Sequence, residues 1–548
     1  MPVLCVRNDA GDNPLAANVV AIIARTLMER CGIGLERGAD EAAVTLALRP
    51  GIGAEGYVIE DAPGGVLVAG NDLTGLRAGV GRLLHDARYA PGEFTPGRWR
   101  GVSVPQCAVR GIYCAFNFNN WYAACPRDEL RRYLEELSLW GFNAIFFSVH
   151  FPDPDDAAAL RRHIAATREV IALTHEAGLG VGFLNSPNIG MSGIPEAWRA
   201  VDVPDTVPAR RGNIGTRICP SQPGAMAWLE ERFETYFTGY DDLGLEYVAT
   251  FPYDAGGCGC PDCWPWGVKG FVELSKLFFA VARRHYPACT RVLATWCYDV
   301  REESDGEFAG LDRLLRDDAS WVDYLMIDAH EDFPRWPLEH GTPGGLPAVN
   351  FAEITMWGRY PWGGFGANPL PARFERLWRG AKGMLDGGFP YSEGIFEDIN
   401  KVVVSHFYRD TEANAEDAVR AYVAYEFSPE VADAVTEAIY LLEETYPREG
   451  RDPEKVRRAW ALLAAADAKL PDYARTGWRW RILYLRALID AEELEHGGGL
   501  TDRADAALDE LIAIYHADGA DGPVLPRSRR VRARQAAEGQ MPPPPGAM

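Results

Sequence analysis

Apolar and polar positions along the chain fall into three successive patterns. Up to about residue 105, short apolar strands alternate with amphipathic helices. Leu15–Cys31 sets Ala16, Val20, Ile23 and Leu27 on one helical face, and Ala43–Leu48 reads as a strand. Tyr57–Glu60 and Val66–Ala69 flank the turn-rich Asp61-Ala62-Pro63-Gly64-Gly65 and read as a hairpin; Leu73–Leu84 follows as a helix whose Gly75, Gly79 and Gly81 permit close approach to a sheet. From Val109 the strands become almost uniformly apolar, each followed by an amphipathic helix. The eight candidates are Val109–Phe116, Asn143–Val149, Leu179–Leu184, Glu246–Phe251, Arg291–Trp296, Val322–Ile327, Ala348–Ile354 and Phe389–Ser392. Strands without polar alternation are covered on both faces, as in a parallel sheet. Eight strand–helix units in about 300 residues predict an α/β fold with a central (β/α)8 TIM barrel. A doubly wound sheet is the alternative, but no glycine fingerprint follows the first strand. Beyond about residue 411 the period is helical throughout, with stripes at Val456, Trp460, Leu463 and at Trp480, Leu483, Tyr484, Ala487.

The predicted organisation is an N-terminal α+β domain (1–105), a barrel (106–410), a C-terminal helical domain (411–520) and a disordered tail (521–548). The tail holds the only basic run, Arg527–Arg534, and the Pro542–Pro545 stretch. At 548 residues the chain has ample material for a large core. A formal charge of −23 argues against nucleic acid or an anionic membrane as a partner. The N-terminus shows no basic and apolar leader, and no apolar run approaches the ~20 residues that span a bilayer. Eleven cysteines, an odd number scattered outside one cluster, argue against a disulfide framework. A cytoplasmic enzyme is the simplest expectation, with a homo-oligomer left open.

Barrel enzymes carry their chemistry at the C-terminal ends of the strands. There the sequence places Asn117, Asn119, Asn120 and Trp121 after strand one, His150 after strand two, and Asn185 after strand three. Tyr253 and Asp254 follow strand four, Trp296 ends strand five and Asp299 follows it. Asp328, His330 and Glu331 follow strand six; Glu353 and Trp357 lie at strand seven, Tyr391 and Glu393 at strand eight. Amides, carboxylates and aromatics with few cations suit a neutral carbohydrate. Cleaving a glycosidic bond needs two carboxyl groups, one proton donor and one nucleophile or base. Asp254 is the candidate acid, and Glu393 or Glu353 its partner across the barrel; Glu397 and Asp398 read as helix-cap or ion-pair residues. The expected substrate contacts are Asn117, Asn119, Trp121, His150, Asn185, Tyr253, Trp296, Asp328, Trp357 and Tyr391.

The run GYVIEDAPGGVLVAGNDLTGLRAGVGRLL resembles the domain preceding the barrel in glycoside hydrolase family 20 and in the family 67 α-glucuronidases. Val109-Arg110-Gly111 resembles the Arg-Gly that opens the family 20 barrel, which implies that Arg110 contacts substrate; a structural arginine at the barrel bottom is the other reading. Cys219-Pro220-Ser221-Gln222-Pro223 is similar to the segment opening the helix before the fourth strand in such enzymes. The chain departs from both families. Family 20 carries Asp-Glu after strand four, where this chain has Tyr253-Asp254-Ala255. The family 67 acid is a glutamate, and uronate recognition favours cations that are scarce at these strand ends. The resemblance therefore implies the wider group of barrel glycoside hydrolases and close membership of neither family.

Cys258, Cys260 and Cys263 have the spacing of soft-metal ligands. A structural zinc knot, reduced metal-free thiols and a disulfide pair are the three readings, with Cys297 and Cys219 the nearest fourth ligands in barrel order. No cofactor is expected for catalysis. The alternatives to hydrolysis are a metal-dependent sugar isomerase, epimerase or lyase, and a non-catalytic carbohydrate-binding protein.

Overall fold

In the computed structural model, the described residues are 2–38, 42–116, 120–149, 157–189, 194–203, 216–253, 256–299, 306–329, 332–353, 366–447, 450–517 and 528–537. The chain opens with a six-stranded sheet ordered Gly34–Arg37, Val3–Asn8, Val44–Leu48, Gly65–Gly70, Tyr57–Ala62 and Gly101–Ser103. The first four run parallel. The expected hairpin forms, with Ala62 opposite Gly65 in an antiparallel pair. Helix Pro14–Cys31 starts where Asn13 accepts the Leu15 N–H at 2.8 Å and stops at Gly32, whose φ of 65° needs no Cβ. Helix Leu73–His85 packs by its glycines on two sides. A Cβ on Gly79 would meet Val68 of the sheet at 2.8 Å, whereas one on Gly81 would meet the Leu139 carbonyl at 2.0 Å. Gly81 thus serves the contact with the barrel, not the sheet.

The barrel is closed and parallel. Its strands are Val109–Cys114, Ala144–Ser148, Gly180–Asn185, Tyr247–Thr250, Thr290–Ala294, Tyr324–Ala329, Ala348–Ala352 and an eighth in two pieces, Leu385–Gly388 and Tyr391–Ser392. Each pairs with the next, and the first pairs with both the second and the eighth. The eighth begins earlier than the apolar pattern predicts. Pro390 has no N–H for a ladder, which interrupts the strand, and the Phe389 ring sits over Gly111 and Phe146, with ring centroids of the two phenylalanines 3.6 Å apart. Helices Arg127–Leu139, Ala157–Glu176, Ala225–Thr238, Gly270–His285, Glu307–Asp317, Arg335–His340, Pro371–Ala381 and Asp398–Arg409 follow the strands in turn.

The C-terminal part is helical, as its period predicts. Trp480 is fully buried with its Nε1–H donated to Asp467 at 2.7 Å, and Trp460 packs edge-on against Tyr484. Within the stretch expected to be a disordered tail, Arg529–Ala537 is a helix: Arg529 pairs with Asp502 at 2.6 Å, Arg530 with Asp509 at 3.1 Å, and Val531 is buried. Within the basic run, Arg529 and Arg530 thus dock on acidic residues of helix Asp502–Ile514. No helix among the described residues is long and apolar enough to cross a membrane.

Candidate active site

Two glutamates stand at the C-terminal ends of adjacent barrel strands. Glu353 follows the seventh strand and bridges to Tyr391 of the eighth; Glu393 comes two residues later. Both are buried, and the Tyr391 hydroxyl donates to Glu393 Oε1 at 2.5 Å. Burial first, then the charges of Glu393 and Glu353, push the Tyr391 phenol well up, so it remains a proton-bearing donor. Below them lies an aromatic floor. Tyr391 stacks on Tyr113 with centroids 5.3 Å apart, Phe351 meets both edge-on, and Phe251 joins Phe351 to Trp296.

The backbone of this corner hangs on Glu397. Its Oε1 accepts the Ser392 hydroxyl, the Glu393 N–H at 2.8 Å and the Gly394 N–H at 3.2 Å. Burial pushes the Glu397 carboxyl up to about 7, against the pull of nearby Lys401. Lys401 is itself fully buried and donates to Tyr122 Oη at 2.8 Å, Tyr133 Oη at 2.7 Å and the Gly394 carbonyl at 2.6 Å; burial lowers its pKa. Asp398 accepts from Tyr133 and Tyr422, each at 2.9 Å, and from Arg479 Nε at 2.7 Å. The cap and ion-pair reading of Glu397 and Asp398 therefore agrees with their contacts. Lys401 was hidden from sequence reasoning; its one signal is a lone cation directly before the apolar run Val402–Val404.

The remaining candidates separate. Arg110 is at the opposite end of the barrel from the glutamates. Its guanidinium pairs with Glu55 of the N-terminal region and donates to the carbonyls of Gly141 at 2.8 Å and Cys107 at 3.0 Å. With its donors so engaged and 1% exposure, it is a junction residue, and the substrate contact implied by resemblance gives way to the barrel-bottom reading. Asn185 donates to Tyr236 Oη at 2.8 Å. Trp121 is buried edge-on against Tyr122 and Tyr133, and lines a cavity of about 350 Å³ with Tyr133, Trp478 and Arg479 on the helical side of the barrel. Asp328 is the penultimate residue of the sixth strand, and Trp296 flanks the floor, both buried. Asp254, Asn117, Asn119, His150, His330, Glu331 and Trp357 lie outside the described residues.

The segment after the fourth strand is anchored at many points. Tyr253 is fully buried and donates its hydroxyl to Glu307, which also accepts the Gly267 N–H at 2.8 Å. Trp266 is buried, with Nε1–H donated to the Pro252 carbonyl at 2.7 Å. Asp299 caps helix Glu307–Asp317 through the N–H groups of Glu307 at 2.8 Å and Phe308 at 3.1 Å. Tyr253 and Trp266 thus brace the loop from within. Cys258, Cys260 and Cys263 come together with Cys219, all four sulfurs lying within 4.8 Å of one another.

No protein-family model matches the sequence, and no curated protein sequence matches it. Solved structures do match in fold. A family 115 4-O-methyl-α-glucuronidase with specificity for decorated arabinogalactans superposes with a TM-score of 0.60 at 11% identity, over 93% of this chain and 76% of its own. A family 89 glycoside hydrolase from Clostridium perfringens, carrying two Glu→Gln substitutions and bound to GlcNAc-α-1,4-galactose, gives 0.60 at 12% identity, over 91% of this chain and 65% of that one. The family 20 β-N-acetylhexosaminidase of Streptomyces coelicolor A3(2) gives 0.53 at 12% identity, over 77% and 91%. The chain has the barrel fold of these glycoside hydrolases and is a close sequence relative of none of the three.

Proposed function

We propose that the protein is a glycoside hydrolase acting on a terminal or short-chain glycosidic bond. The observation that carries this reading is the pair of buried glutamates at neighbouring strand ends, Glu393 accepting from the Tyr391 hydroxyl and Glu353 bridged to Tyr391 through the backbone, above an aromatic floor. A pair of carboxyl groups is the usual requirement of the reaction, and aromatic faces suit the apolar faces of pyranose rings. The matched fold supports the reaction class; the family 89 structure among the matches carries two Glu→Gln substitutions and holds its substrate.

Asp254 follows the strand facing the eighth across the barrel and is assigned the proton donor to the leaving oxygen. Glu393, oriented by Tyr391 and by the Glu397-held backbone, is assigned the nucleophile or water-activating base, with Glu353 beside it. A screen of aryl α- and β-hexosides, pentosides and uronides tests the reading. Asp254→Asn and Glu393→Gln are each expected to lower turnover by about 10²–10⁴-fold with the fold intact. Near-normal turnover in both, or sugar binding without hydrolysis of any aryl glycoside by the wild type, overturns it. The anomer released first reports the carboxyl separation: about 5–5.5 Å gives retention and about 6.5–9.5 Å inversion.

A further inference from the structure

Three of the four clustered cysteines are close in sequence, and the fourth is brought from outside the loop. Cys219 precedes helix Ala225–Thr238, and its sulfur lies 3.6 Å from Cys260 Sγ and 3.8 Å from Cys263 Sγ. A tetrahedral zinc with Zn–S bonds of about 2.3 Å holds its sulfurs about 3.8 Å apart. The observed spacing matches that edge. A disulfide would need about 2.05 Å, and thiolates on a multi-iron cluster, each on a separate metal atom, would stand further apart. All four side chains are buried or nearly so, at 0%, 0%, 9% and 1% exposure for Cys219, Cys258, Cys260 and Cys263.

The surroundings also suit a thiolate site. Ser221 Oγ lies 3.0 Å from Cys219 Sγ and 3.5 Å from Cys260 Sγ, and Gln222 Nε2 lies 4.0 Å from Cys219 Sγ. These donors disperse the charge that several thiolates place on one metal. The intervening backbone is fixed independently. The Gly257 carbonyl accepts from Asn188 Nδ2 at 3.1 Å and Arg217 Nη1 at 3.2 Å, and the Gly259 N–H reaches the Val201 carbonyl at 2.8 Å. A Cβ on Gly259 would meet the Asp202 carbonyl oxygen at 2.2 Å, so the loop approaches that backbone as only glycine allows.

We propose that Cys219, Cys258, Cys260 and Cys263 bind one zinc ion as a closed, four-thiolate structural site. It leaves no coordination position for substrate or water. Its role is to clamp the loop after the fourth strand, beginning four residues beyond Asp254, to the segment opening the next-packed helix.

The full chain, purified without a metal-binding tag, is expected to carry about one zinc per chain by elemental analysis. Exchange with cobalt should produce the intense visible bands of a tetrahedral tetrathiolate ion. Cys219→Ser and Cys260→Ser should each lower retained zinc at least tenfold after dialysis against a mild chelator, while Cys289→Ser, another buried cysteine outside the cluster, should not. Should the ligand variants fold poorly, the cobalt spectrum of the wild type decides alone. Absence of stoichiometric zinc after loading, together with no tetrathiolate cobalt spectrum, overturns the proposal. So does iron as the metal bound at this site. The readouts are independent of turnover, so they stand whether or not the glycosidase reading does.

Discussion

Gly111 and Gly182 set how deep the aromatic plug sits inside the barrel. A Cβ on Gly111 would meet the Phe389 ring at 2.0 Å, and one on Gly182 the Phe146 ring at 2.3 Å. Neither ring can retreat within a close-packed interior, so Gly111→Ala is expected to destabilise by about 1–3 kcal/mol, read as a lowered Tm. Glu397 gives a pH signature. Its folded carboxyl titrates near 7, above the unfolded value of 4.5, so the folded chain holds the proton more tightly and this group's contribution falls as pH rises between the two. Replacing it by glutamine removes that loss. The stability of Glu397→Gln relative to wild type should therefore increase from pH 4.5 to 7, by at most about 3 kcal/mol at ~1.4 kcal/mol per pH unit, measured by urea unfolding at each pH. Arg110→Lys separates junction from substrate contact: Tm should drop while KM stays within about twofold, and a large KM rise at unchanged Tm would restore the substrate role. Such roles are poorly legible in the chain, because an Arg-Gly near the start of an apolar strand does not itself say whether the arginine serves the substrate or the barrel's packing.

At the scale of elements, the strands were readable because burial on both faces leaves an apolar run that periodicity alone exposes. The eighth is the exception. The first piece of its ladder, Leu385–Gly388, is masked by Asp386 and two glycines; of the expected Phe389–Ser392, Tyr391–Ser392 pairs and the conspicuous Phe389 belongs to the interruption. Three of the clustered cysteines were legible as a group; which of Cys219 and Cys297 joins them was not, since that depends on a contact between residues 41 apart. Helix Trp478–Glu495 is held to the barrel by a buried ion pair. Arg479 engages Asp398 at 2.7 Å and Glu136 at 2.8 Å, all largely buried. Arg479→Met should destabilise by about 3–5 kcal/mol by stranding Asp398, and pairing it with Asp398→Asn should recover part of that loss in the same melting assay.

Across the whole molecule, the three regions legible as separate patterns are joined by contacts no pattern reveals. Arg25 and Asn18 of the first helix reach Glu135 on the barrel at 2.6 and 2.7 Å, and Arg30 reaches Glu426, 396 residues away, at 3.1 Å. Such links predict one cooperative transition, with calorimetric and van't Hoff enthalpies equal; resolved N-terminal and barrel transitions would contradict it. The Asp398–Arg479 pair has a further consequence, for the order in which the chain is made. Asp398 leaves the ribosome 81 residues before its cation. At ~5–20 residues per second, that is on the order of 4–16 s during which every barrel strand exists but an anion destined for burial lacks its ion-pair partner. A nascent chain stopped once residue 410 has emerged should thus remain open and chaperone-bound, and closure should await the emergence of the helix that carries Arg479.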